Sequence, residues 1–447
     1  MSRVAAALVA LWVALVANRA EATPPDTHGL FSRSISLGGA VTADVEDSSA
    51  NYYNPAGLVR SGELRLTVGY LSVSPYLNIN DERSSVERHG AMVVGLVAPA
   101  TFGNARLAFG LALHLPDQRL ARTRSAVVTR PRWEMYDTRP GRIYLATNIA
   151  VSPAPWLTIG AGITFQSPSD LTLDIRGDAH ATSPDSMSRL EHQFAGDLTS
   201  IRYPQAGIQI HPHEKFSFGV AYRGEFELRN RIVALADANI IGIGADPIPL
   251  QFSLVSDTTS MFGPQQVSVG AVFDPTSWLH LAFELTWYDY SKHPSLIADQ
   301  EILLSADPPP GLGITIPDEI TSLPPLPLNL HDTFVPRVGI EITAARTEAY
   351  TLQTRLGYVY ENSPFPAQTG TLNFVDNDKH TITAGVGLQL TDLEPTLPGS
   401  LSIDVHAIYS YLPEREHIKD SLVDPVGDYR SDGHLFGVGA TLEVAFE

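Results

Sequence analysis

Cysteine is absent from the 447 residues. Disulfide staples, thiolate metal sites and cysteine nucleophiles are therefore excluded. Basic residues are scarce: 30 Lys and Arg stand against 49 Asp and Glu, a formal net charge of −19. That balance argues against nucleic acid as a partner, since phosphate binding requires basic surface. There is no G-x-S-x-G, P-loop or H-E-x-x-H, and the histidines lack metal-ligand spacing. Ser402 and His406 share a strand parity, but no third group completes a catalytic set. No enzyme activity, metal or cofactor is expected. Convincing 3.6-residue apolar periods are also missing, and past the N-terminus no apolar run is long enough for a spanning helix.

The one sustained apolar run, Val4–Ala17, follows Arg3 and precedes Ala20-Glu21-Ala22. A short apolar segment between a basic residue and a small-x-small step is the layout of a secretory signal peptide. Residues 1–22 are read as that leader, cleaved after Ala22.

What fills the rest is strict alternation. From Phe216 to Arg229 the even positions are Phe, Phe, Val, Tyr, Gly, Phe and Leu, while the odd ones are small or charged. Period 2 over such a length means a strand with different surroundings on its two faces. The pattern recurs in 14 segments, near 63–78, 87–98, 105–116, 142–152, 156–166, 198–211, 215–229, 265–273, 277–291, 334–344, 349–361, 379–391, 400–412 and 433–446. Connections alternate between short and long, apart from a short first loop at 79–86, as they do when a chain weaves through a bilayer with short periplasmic turns. Trp156, Trp278 and Phe216 lie beside short turns, where an interfacial aromatic belt would sit. The fold expected is all-β: a 14-stranded antiparallel transmembrane β-barrel with both mature termini on the periplasmic side. The bilayer is then its first partner. A monomer is expected, inserted by the barrel-assembly machinery of a Gram-negative outer membrane.

Two long connections are unusually apolar. Residues 232–262 carry Ile240, Ile241 and Phe252, and 296–330 carry Leu303, Leu304 and seven prolines. Exposed loops of this kind either pack together or bind something apolar. On the polar parity of the strands, Arg223, Arg337 and Arg355 face the lumen. Each is a candidate to receive a ligand carboxylate, or else pairs with neighbours such as Glu225, Glu227, Glu284 and Glu341.

Ahead of the first strand, residues 28–60 are rich in small residues and contain Ser36-Leu37-Gly38-Gly39-Ala40 and Tyr53-Asn54-Pro55-Ala56-Gly57-Leu58. Far downstream stands Arg355-Leu356-Gly357-Tyr358-Val359-Tyr360-Glu361-Asn362-Ser363-Pro364-Phe365-Pro366. With these segments the chain resembles the long-chain fatty-acid and aromatic-hydrocarbon transporters of the FadL/TodX type. The resemblance implies an N-terminal hatch, taken as residues 23–62, plugging a barrel of residues 63–447. It implies passive transport of hydrophobic small molecules, with Asn54, Pro55, Ala56 and Gly57 as the hatch apex that gates the lumen. It also implies lateral release through a kinked third strand, for which Gly110 and Pro116 are the only local breakers. One departure is Glu447 after Phe446, where an outer-membrane barrel normally ends on the aromatic. Two other functions compete: a surface adhesin acting through the proline-rich loop 292–333, and an open polar porin.

Overall fold

The computed structural model describes residues 24–103, 105–118, 130–137, 142–166, 169–180, 189–198, 201–241, 246–306, 319–321, 327–391, 393, 395 and 398–446. Glu447, most of the proline-rich stretch between 307 and 326, and residues 1–23, which include the segment read as a leader, lie outside them.

Fourteen strands form the wall. They are β1 (Leu64–Ile79), β2 (His89–Phe102), β3 (Ala105–Pro116), β4 (Tyr144–Ala154), β5 (Leu157–Gln166), β6 (Ile201–His213), β7 (Phe216–Arg223), β8 (Gln266–Thr276), β9 (Leu279–Tyr288), β10 (Thr333–Arg346), β11 (Tyr350–Glu361), β12 (Lys379–Leu390), β13 (Ser400–His417) and β14 (Tyr429–Phe446). Each pairs antiparallel with its chain neighbours, and β1 pairs with both β2 and β14, closing the cylinder. Closure leaves no unpaired edge, the condition for strands in hydrocarbon. Leu64 opposes Phe446, so the chain enters and leaves the wall at the same end.

Alternation places the apolar parity outward. On β7 Phe218 and Val220 are 47% and 45% exposed, whereas Gly219 and Arg223 are buried. Trp156 and Trp278 are exposed at the short-turn end, where an interfacial belt belongs.

The structure corrects the seventh strand. Read as 215–229, it ends at Arg223, and Phe226 opens a separate strand reaching Ile241. Gly224 donates its N–H to the Pro204 carbonyl across the break. Phe226 then stacks on Tyr203, with ring centroids 4.5 Å apart. Phe226 and Leu228 keep the apolar parity of β7, yet both are fully buried. Period 2 continues through a turn that changes what the apolar face touches.

The long connections are also not plain loops. A second sheet stands beyond the wall, in the order Arg189–Leu198, Ser169–His180, Phe226–Ile241, Ile248–Gly263, Asp299–Ala306 and Glu319–Thr321. Its first four strands continue β5 to β8 outward, and the last two belong to the connection between β9 and β10. Ser169–His180 and Phe226–Ile241 both run away from the barrel and therefore pair in parallel.

Residues 24–63 lie inside the cylinder as short helices (Pro24–His28, Ser32–Ser36 and Ala50–Tyr53) and a 3₁₀ turn, Pro55–Val59. Leu37, Val41, Val45, Leu58 and Val59 form a small apolar core against Val97, Ala108 and Ala150 of the wall. This insert is the hatch.

Candidate functional site

Small residues let the hatch approach the wall backbone, and their hydroxyls bind it. The Ser32 N–H donates to Thr441 Oγ1 at 3.0 Å and the Gly38 N–H to Thr383 Oγ1 at 3.1 Å. The Thr42 N–H donates to Glu284 Oε2 at 3.0 Å, and Ser48 and Thr67 share a hydroxyl hydrogen bond of 2.6 Å.

The apex is tied most densely. Asn54 Oδ1 accepts from the Ala56 N–H at 3.1 Å, capping the 3₁₀ turn that Pro55 begins. The Asn54 amide donates to Thr42 O at 2.7 Å and to Ile208 O on the wall at 3.1 Å. Asn54, Pro55, Ala56 and Gly57 are all buried. Where the apex meets the wall there is no space for a side chain: a Cβ on Gly160 would lie 2.3 Å from the Pro55 carbonyl carbon, and one on Gly207 1.9 Å from Asn54 Oδ1. A second tie runs through Asn51, whose amide donates to Leu96 O and Leu111 O, at 3.3 and 3.2 Å. Asn148 and Gln205 in turn donate to the Asn51 carbonyl, at 3.1 and 2.8 Å. Gln209 donates to Val45 O at 3.1 Å. Asn51, Asn148, Gln205 and Gln209 were missed in the sequence, although inward-parity amides beside glycines are a readable signal.

The lateral opening expected at Gly110 and Pro116 is not present in this conformation. β3 pairs without interruption with β2 from Ala105 to Pro116 and with β4 from Arg106 to His114. Gly110 faces inward, where a Cβ would lie 2.2 Å from Asn51 Oδ1. It is a contact glycine for the hatch.

All three lumen arginines are paired. Arg337 donates to Thr286 Oγ1 at 2.5 Å and Tyr288 OH at 3.0 Å, with Glu284 at 3.4 Å. Arg355 donates to Glu341 at 2.5 Å, to Gln353 at 2.7 Å and to Asp404. Arg33 of the hatch also reaches Glu341, at 3.2 Å, and so joins that network. Arg223 meets neither Glu225 nor Glu227: it donates to Asp26 Oδ1 and to Tyr52 O, each at 2.7 Å. Its partner comes from the hatch, a pairing that strand register alone does not contain.

The lumen is divided by the hatch. Above it, a cavity of about 90 Å³ lies between His28, Tyr52 and Tyr53 and the wall residues Tyr288, Arg337 and Lys379. Beyond that, one of about 60 Å³ leads outward past Tyr136 and Pro364. Below it, a cavity of about 230 Å³ is lined by Glu46, Asp47, Glu341, Asp404 and Glu443 with Arg33, Arg65 and Arg355. Ligand pockets usually span roughly 300–1,000 Å³, so the upper cavities are too tight for a long ligand until something moves. His28 stacks on His89 at 5.7 Å. Burial holds its imidazole well below the ordinary range, and His89, Lys379 and His114 add to the effect.

The second motif closes the outer lumen. Asp378 accepts from the Ser363 N–H and the Tyr360 hydroxyl, each at 2.8 Å, and Phe365 is buried. The Asn377 amide donates to Pro413 O at 2.8 Å and Ser431 O at 2.7 Å.

On the external sheet, Ile175, Ala236, Phe252 and Leu304 stand abreast on four adjacent strands. Ile240 shares their face, beside Ile248. Ile241 and Leu303 take the opposite parity, with Arg176, Asp237 and Gln251. The two apolar connections therefore pair with each other, and most of their apolar residues, though not Ile241 and Leu303, share one face.

Residues 25–443 match the family model for outer membrane protein transport proteins (OMPP1/FadL/TodX). Alkane uptake protein A of Marinobacter nauticus is 22% identical over 437 residues, spanning 93% of this chain and 90% of that protein. The fold is shared with a Pseudomonas aeruginosa FadL homologue (TM-score 0.54, 14% identity, 93% of this chain and 97% of that one). It is shared equally with the Pseudomonas putida toluene transporter TodX (TM-score 0.54, 12% identity, 94% and 99%). A closed 14-stranded wall, an internal hatch and a family match across nearly the whole chain agree, and the protein belongs to the OMPP1/FadL/TodX family of outer-membrane transport proteins for hydrophobic compounds.

Proposed function

We propose that the protein carries a long-chain fatty acid, alkane or aromatic hydrocarbon passively across the outer membrane, with the hatch as gate and release sideways into the bilayer. The observation that carries this reading is the apolar face of the external sheet, on strands that continue directly from β5 to β8. A hydrophobic molecule settling there is held at the barrel mouth. Movement of the Asn54–Gly57 apex then frees the lumen beneath. The lower cavity favours a lateral exit, because its five carboxylates and three arginines would lose hydration to a hydrocarbon entering it. The proposed exit lies at the strands facing the apex, where Gly110 and Gly160 leave only backbone beside the hatch.

The test is uptake of radiolabelled palmitate and hexadecane by cells with and without the protein. Equal uptake of both compounds in the two strains sinks the reading. Gating is tested by a tether: the native chain lacks cysteine, so Ser48→Cys with Thr67→Cys places one unique pair where hydroxyls now meet at 2.6 Å. Oxidation should stop uptake and reduction restore it. Uptake indifferent to the tether removes the hatch from the mechanism.

A further inference from the structure

Asp26 sits among groups that together make a carboxylate receptor. Its Oδ1 accepts from Arg223 Nη1 on β7 at 2.7 Å, from the Gln266 amide on β8 at 3.1 Å, and from the Tyr52 hydroxyl. The Arg223 guanidinium carbon lies over the Tyr52 ring, 3.9 Å from its centroid. Arginine, amide and phenol converging on one oxygen is how proteins hold a carboxylate by charge-assisted bonds. Asp26 belongs to the first described turn of the hatch, Pro24–His28, not to the wall.

The seat has more hydrogen-bonding capacity than its occupant uses. Arg223 Nε has no hydrogen-bond partner among the described residues. On the neighbouring inward face, Thr164 opposes Tyr203 across β5 and β6, with Gln166 and Tyr144 at the same outer end. The hydroxyls of Tyr144 and Tyr203 have only the Thr164 hydroxyl within reach, and both ends of the Gln166 amide are buried without partners. Buried polar atoms without partners are costly and call for an explanation. In the closed state the tethered carboxylate leaves Arg223 Nε unsatisfied, with the Gln166 amide unsatisfied on the same inward face.

We infer that Arg223, Gln266 and Tyr52 form a carboxylate-binding seat that the hatch occupies with its own Asp26, and that an incoming monocarboxylate amphiphile competes with Asp26 for it. The inference rests on the transport reading but adds a discrimination to it. A carboxylate-bearing chain takes the seat and turns the Pro24–His28 segment out, freeing the space around Tyr144, Thr164 and Tyr203. A bare hydrocarbon has nothing to exchange for the ion pair, so it binds without displacing Asp26.

The test uses the full-length barrel in amphipol, with radiolabelled palmitate and hexadecane as probes. In Asp26→Ala the ratio of palmitate to hexadecane retained should rise about tenfold, as the tethered competitor is lost. In Arg223→Gln it should fall below the wild-type ratio. Asp26→Asn keeps the side chain's size and should give an intermediate ratio. Heat-modified gel mobility verifies that each variant remains a folded barrel. A ratio unmoved in Asp26→Ala, or no palmitate binding in any variant, overturns the seat. If the ratios shift as expected while cells take up neither compound, the transport reading fails and the seat stands.

Discussion

At the seam between hatch and wall, buried polar atoms are matched in detail: the Asn54 amide on two carbonyls, Ser48 on Thr67, Thr42 on Glu284. On the external sheet, one face is almost wholly apolar and the other mixes charged, polar and a few apolar side chains, and order comes from backbone pairing. The seam tolerates little, because its groups are dehydrated and their partners are fixed in place. The sheet tolerates more, because exchanging one apolar side chain for another leaves the ladder intact. On the proposed function the seam is a gate, which needs one closed geometry, and the sheet a capture surface, which needs only apolar area.

The largest expected break is steric. Gly207→Val puts a side chain where a Cβ already lies 1.9 Å from Asn54 Oδ1. The Asn54 amide, held at both ends by its own hydrogen bonds, cannot yield that far, so the hatch should unseat, and liposome-swelling assays should show sugar permeation rising about tenfold or more. Gly62, with nothing within 4 Å of its would-be Cβ, is the control by proximity; its φ of +71° calls for Asn as the replacement.

Next is the charge network. Glu341 serves both Arg355 and Arg33, so Glu341→Leu leaves two cations without that partner; about 3–5 kcal/mol should be lost, read as a lower urea midpoint in lipid vesicles. Smaller is Asn54→Ala, which removes the cap, one donation within the hatch and one to the wall, with an expected loss of about 1–3 kcal/mol in the same assay.

Acid should also loosen the seam. His28 is buried with its pKa depressed well below 6.5, so the seated hatch favours the neutral ring. Its stabilisation is complete above pH 6.5 and declines as the pH falls below that, because the released histidine binds a proton that the seated one refuses. Sugar permeation should rise on acidification, and His28→Phe should flatten the dependence. Equal pH profiles in both proteins would remove His28 from the seam's chemistry.

The smallest stability effect belongs to the sheet. Phe252→Asp should change the urea midpoint by only about 0.5 kcal/mol while reducing hexadecane capture by cells several-fold. A midpoint as depressed as that of Glu341→Leu would show that sheet and seam share one cooperative unit, ending the contrast drawn here.

The same contrast explains what was legible beforehand. Fourteen strands and their lumen parity follow from period 2, because a bilayer on one side and a polar lumen on the other force the alternation. Phe216–Arg229 shows where that reading fails. Its period continues unbroken past Arg223, but Phe218 faces lipid while Phe226 faces Tyr203, since lipid and a protein core select the same side chains. The external sheet was hidden for a related reason: parallel pairing of Ser169–His180 with Phe226–Ile241 joins segments separated by β6 and β7.

Sequence by itself determined the barrel, the outward apolar parity, the charge that excludes nucleic acid and the small-residue segment that fits inside. These are local or compositional properties, and each residue carries its share regardless of its partners. Only the tertiary structure decided which partner each lumen arginine takes, that Gly110 meets Asn51, and that Asp26 reaches Arg223 across 197 positions. Those outcomes depend on how a hatch of short turns folds inside a cylinder, and contacts made between distant segments leave no period in the chain.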